Sequence, residues 1–208
     1  VVALLFVDEI QEKIDESEIK EIKSVREKYL DKGFLEELIN ELEEYRDNEG
    51  SKYDDMHEYF KVFKDLKHIT PDDPLGLNDA LRYFWQTDED EELYIIKHRQ
   101  FEEYYKDKLY KFENILVYFV FRYFMKAVFD YDILAKIKTA LVSYMIIREL
   151  AVVRYIENNE FTDEDMVDIA HTYSKDIEHL EENIEALAEL FETNDVFDIE
   201  EMVIALMN

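Results

Sequence analysis

The side chains best placed to do chemistry are arginines and tyrosines set into two apolar stretches. Arg122 lies in the first, and Arg148, Glu149 and Arg154 lie in the second. Tyr118 and Tyr144 each stand four residues before an arginine, so a helix puts each Tyr–Arg pair on one face. An arginine among apolar neighbours needs a carboxylate, and the simpler reading is a set of ion pairs that fix helix register. The functional alternative is a pocket for a small anion or carboxylate, lined by Tyr118, Arg122, Tyr144, Arg148 and Glu149.

The five histidines are at 57, 68, 98, 171 and 179. Asp168 and Asp176 stand three residues before His171 and His179. Carboxylate-x-x-His pairs hold metals in helical bundles when they face inward from two different helices. Here both fall in one helical stretch, whose apolar spacing puts His171 and His179 outside the seam. They read as surface pairs, and no metal site is expected. The chain has no cysteine, which excludes a disulfide, a thiolate metal site, a Cys nucleophile and a cysteine-bound iron–sulfur cluster within it. Three scattered glycines make no phosphate loop, there is no Gly-x-Ser-x-Gly elbow, and the acids at 88–90 lack the central glycine of a calcium loop.

The elements that must position these residues are helices. With three Gly and two Pro in 208 residues, the chain cannot make the many turns of an all-β fold, and its 48% apolar content suffices for a real core. The spacing predicts two or three amphipathic helices over 1–47 with a break at Gly33, a turn at 47–51 and a helix over 52–67. Thr70-Pro71 reads as a cap and first-turn proline, and any subdomain boundary is expected at 68–76. Beyond it come a short helix with Leu81, Phe84 and Trp85, and a long one, capped by Thr87 and Asp88, from Asp88 to about Lys111.

The helices 112–129 and 133–157 are the most apolar. The second is apolar nearly all round, so other helices should surround it. Thr162 and Asp165 form a capping box, with Phe161 and Met166 as the staple. From Met166 to Phe191 apolar residues alternate at spacings of four and three, which predicts one long helix lying along the bundle. Thr193-Asn194-Asp195 ends it, and Asp198 with Glu201 starts the last helix. The expected fold is therefore all-α: one multi-helix bundle over 1–208 around two central apolar helices.

The net charge is −28. Such a chain repels phosphate backbones, so nucleic acid is not an expected partner. The charge is uneven: 28 acidic and 12 basic residues over 1–96, 7 and 11 over 97–154, and 17 and one over 155–208. No membrane span is expected, because Arg122 and Lys126 interrupt one apolar run and Lys136, Lys138, Arg148 and Glu149 the other. The opening Val1–Val7 is short, apolar and followed by Asp8 and Glu9, a poor signal peptide that reads as a helix cut from a longer protein. A cytoplasmic location fits the lack of cysteine.

The run from Phe112 to Phe129, then Lys136-Ile137-Lys138 through Ser143-Tyr144 to Ile147-Arg148-Glu149-Leu150, then Ala170-His171, Tyr173-Ser174, Glu178-His179 and Glu182-Asn183, resembles the C-terminal helical region of the flagellin lysine-N-methylase family. The resemblance is best over 112–192. It implies a parent enzyme that methylates flagellin lysines with S-adenosylmethionine and carries a Cys-rich N-terminal region with an iron–sulfur cluster. This chain lacks those cysteines, so the resemblance implies the fragment that follows them, with no cofactor of its own. It assigns no catalytic residue here. The implied role is scaffold or docking of flagellin or another lysine-bearing protein, and the missing N-terminal region is an implied partner. Two other readings stand beside it: a non-enzymatic acidic adaptor, and a small-anion-binding bundle.

Overall fold

The computed structural model describes residues 1–48, 52–69, 73, 75–86 and 90–207. The expected turn at 47–51, the Thr70-Pro71 cap, most of the proline-containing loop and the Thr87-Asp88 cap fall wholly or partly outside the described residues. Among those described the chain is all-α, with helices α1 (Val2–Asp15), α2 (Ile22–Leu30), α3 (Lys32–Asn48), α4 (Tyr53–Asp65), α5 (Leu77–Phe84), α6 (Asp90–Tyr105), α7 (Tyr110–Phe124), α8 (Ala127–Asp130), α9 (Ile133–Asn158), α10 (Asp163–Tyr173), α11 (Glu181–Thr193) and α12 (Ile199–Met207). Buried side chains from Leu4 in α1 to Ala205 in α12 join in one core. No helix among the described residues is long and apolar enough to cross a membrane.

Helix α9 is the axis of this bundle. It buries 16 of its 26 residues and touches α1, α4, α5, α6, α7, α10 and α11. Its start is fixed by Asp132, whose carboxylate accepts from Ala135 N at 2.8 Å, and its end by Asn159, left-handed at φ 55°. Polar atoms inside it are satisfied locally: Thr139 Oγ1 donates to the Ala135 carbonyl and Ser143 Oγ to that of Thr139, each at 2.7 Å, and Tyr173 Oη donates to Ser143 Oγ.

The second apolar helix is not central. Helix α7 buries three of its 15 residues, Phe112, Phe119 and Tyr123, against α9. Its other side lies in solvent, with Phe121 at 75% exposure. The expected helix 112–129 also breaks after Phe124, leaving α8 as one turn that ends at Tyr131 in the left-handed region.

Other boundaries shift for local reasons. The break expected at Gly33 comes at Asp31, whose carboxylate accepts from Phe34 N, so Gly33 lies inside the first turn of α3. Helix α5 starts after Gly76, which a φ of 76° suits, and Asp73 accepts from the N–H groups of Leu77 and Asn78. Helix α6 stops at Tyr105, where a short 3-10 turn follows and the Tyr105 ring packs on Phe112 and Phe161.

The long helix expected over 163–192 is two helices. The Thr162–Asp165 capping box starts α10, but a π turn, Ser174–Glu178, interrupts the heptads, and Leu180 is extended before α11 begins. Asp176, Ile177 and Glu178, three consecutive residues of this wider turn, are all buried. The two buried carboxylates are the reason the interruption is stable, because each finds its partners there.

Candidate functional site

Two buried carboxylates organise the polar interior, and they divide the expected site residues between them. Tyr118 and Arg122, one turn apart on α7, both reach Glu178: Tyr118 Oη donates to Oε1 at 2.8 Å and Arg122 Nε at 3.0 Å. Ser174 Oγ donates to the other oxygen of Glu178. The π turn makes this possible, with His179 N bonding back five residues to the Ser174 carbonyl at 2.9 Å. The Glu178 side chain is fully buried while Arg122 stays partly in solvent. The hydrogen bond to Glu178 raises Arg122, and burial, then Glu178, raises the Tyr118 phenol. The Tyr123 hydroxyl lies buried without a hydrogen-bond partner among the described residues, and burial pushes it up.

Beside this group a cleft of about 690 Å³ opens between the α7–α8 end and α11. Arg122, Lys126 and Phe129 form one wall and Glu181, Ile184 and Glu185 the other. Lys136 bonds to Asp130 at 2.6 Å across its edge.

Glu149 is the second centre. His98 Nε2 lies 2.7 Å from its Oε2 and Lys52 Nζ 3.3 Å from its Oε1. His98 Nδ1 meets the Tyr94 carbonyl at 2.7 Å, and the two rings lie 3.8 Å apart. Lys52, His98 and Glu149 are each at most 7% exposed. Burial works to raise the Glu149 carboxyl, but the charges of His98 and Lys52 outweigh it and hold it below the usual carboxylate range. Burial lowers Lys52, and the attraction of Glu149 opposes this without reversing it. Both ring nitrogens of His98 face acceptors, the Tyr94 carbonyl and the Glu149 carboxylate.

The other two arginines expected at the site also end on carboxylates. Arg148 pairs with Glu102 of α6, and Arg154 with Asp165 and Asp168 at 3.3 and 3.2 Å. Tyr144, half-buried, lies near Arg148. Tyr118 and Arg122 thus come together, as do Tyr144, Arg148 and Glu149, but each arginine is held by its own acid. No group of His and carboxylates able to hold a metal occurs among the described residues.

Sequence reasoning missed Lys52, His98, Ser174, Asp176 and Glu178. Asp176, read as a surface partner of His179, is buried; it accepts from His68 Nδ1 at 2.5 Å and from Ile69 N at 2.8 Å. Asn183 extends the same clamp, accepting from Lys67 N and donating to its carbonyl. His171 and His179 do lie exposed. The His98–Glu149 pair is 51 residues apart, and no spacing signals it.

No curated protein and no solved structure matches the chain. A family model does, described as the FliB lysine N-methylase C-terminal domain, over residues 1–205. The match therefore extends well beyond 112–192, the region where the resemblance was strongest. The chain belongs to the FliB lysine N-methylase C-terminal domain family.

Proposed function

We propose that this domain is the helical scaffold of a protein that transfers methyl groups from S-adenosylmethionine to flagellin lysines, and that it docks the lysine-bearing substrate. The observation that carries the reading is the family match along nearly the whole chain. The docking role is supported by the net charge of −28. A field of that sign raises the local concentration of a lysine-rich surface over about 10 Å at 0.1 M salt.

A catalytic role for the buried Lys52–Glu149–His98 group is disfavoured, because catalysis needs groups that reach substrate and these are closed off by the surrounding core. An anion-binding role for Arg122, Tyr144 and Arg148 is disfavoured too, since both arginines are already held by carboxylates. The chain offers no cysteine, so its donor set does not fit the iron–sulfur cluster. We assign the cluster and S-adenosylmethionine to the rest of the parent protein.

Capture of purified flagellin by this domain, compared at low and high salt, tests the reading. The expected result is binding that weakens as salt rises. No binding at low salt overturns docking. Capture that persists while the parent protein methylates no flagellin lysine supports the adaptor reading instead.

A further inference from the structure

The solvent side of α7 is patterned. Tyr110, Asn114, Val117, Phe121 and Phe124 follow one another at alternating spacings of four and three, and all five are exposed. That alternation is the seam of a helix packed on another helix, with one polar residue, Asn114, among apolar ones. Among the described residues nothing occupies it, and α7 meets α9 through the opposite residues Phe112, Phe119 and Tyr123. An exposed apolar stripe of this length marks a binding surface rather than scattered surface hydrophobes.

The surroundings say what kind of helix fits. The seam itself runs through a stretch with three basic and two acidic residues over 110–131, so it does not repel an apolar partner. Its C-terminal end borders the cleft whose far wall, α11, carries exposed Glu181 and Glu185, neither of which has a cation partner among the described residues. A second copy would bring another −28 against this one. We propose that the seam receives an amphipathic α-helix of the substrate protein, its heptad-spaced apolar residues on α7 and its flanking lysines against Glu181 and Glu185. The identity of that partner as substrate rests on the docking reading above; the seam itself does not.

The test uses synthetic helical peptides with a leucine heptad seam, one flanked by lysines, one by glutamates, and one scrambled, titrated by fluorescence anisotropy. The lysine-flanked peptide is expected to bind about tenfold or more tighter than the glutamate-flanked one, with the gap closing as salt rises. Phe121→Asp should weaken binding about tenfold or more at every salt concentration with an unchanged circular dichroism spectrum. Glu181→Gln with Glu185→Gln should weaken it at low salt alone. Equal binding of the scrambled peptide, or no effect of Phe121→Asp, overturns the proposal. So does a dimer that Phe121→Asp dissolves, which would give the seam to a second copy. A Val117→Cys thiol that reacts in this domain but is shielded in the full-length protein would give it to the same chain and overturn the proposal as well. Flagellin capture unaffected by Phe121→Asp overturns the seam while leaving docking intact. Peptide binding through Phe121 without any flagellin capture supports the seam and rejects flagellin as the docked protein.

Discussion

Helix α9 buries 16 of its 26 residues, whereas α7 buries three of 15, although apolar side chains dominate both. In α9 the apolar residues go all the way round, so any face left in water would be a liability, and seven helices cover it. In α7 they fall into two stripes, one that meets α9 and one left exposed among the described residues. The two helices also treat charge differently. Glu149 in α9 is enclosed and must be balanced inside the core, while Arg122 in α7 straddles the boundary and keeps part of its guanidinium in water. Apolar composition alone therefore says that a surface will be covered, and it does not say by which chain.

The contrast can be broken most forcefully at Glu149. Replacing it by alanine leaves Lys52 and His98 buried without a counter-charge, and the expected cost is about 3–5 kcal/mol in urea denaturation. A loss of under about 1 kcal/mol would mean water reaches that centre. Next comes Ile146, which is fully buried in α9: Ile146→Ala should lose about 2–5 kcal/mol, and Phe121→Ala in α7 less than about 0.5 kcal/mol. Equal losses at the two positions would erase the distinction between the helices. Glu178→Gln sharpens it, since the amide keeps an acceptor for Tyr118 but loses the charge that holds Arg122. A loss of about 1–2 kcal/mol is expected, below that of Glu149 because Arg122 is partly solvated.

The smallest effect is one of pH. Burial, then the nearby charges of Glu201 and Asp54, raises Asp55 from 3.8 to about 6. The folded state therefore binds this proton more tightly than the unfolded chain, and stability falls as pH rises from about 4 to 6. Asp55→Asn should remove that part of the slope and leave the protein more stable at neutral pH. Thermal melts across this range check it; an unchanged slope would show that Asp55 is already well hydrated.

Some local signals were readable directly. The Thr162–Asp165 box needs only neighbouring residues, and the structure forms it as the spacing implies. The extent of α9 follows from apolar residues spread round it between Asp132 and Asn159. The π turn was not readable, because the heptads of Met166–Phe191 continue through it and the reason for the break lies elsewhere: His68, Ile69, Tyr118 and Arg122 supply the partners that draw Asp176 and Glu178 inward. The same holds for Glu149, whose partners come from α6 and from the residue before α4.

By itself the sequence determined an acidic all-α bundle, a helix over 133–157 that others must surround and the family to which the chain belongs, because composition, periodicity and family patterns are written along the chain. Only the tertiary structure decided which carboxylate holds which cation and that α7 keeps an apolar face in water. Those outcomes depend on which helices come to lie side by side, and residues far apart in sequence carry no mark of that adjacency until the core has formed.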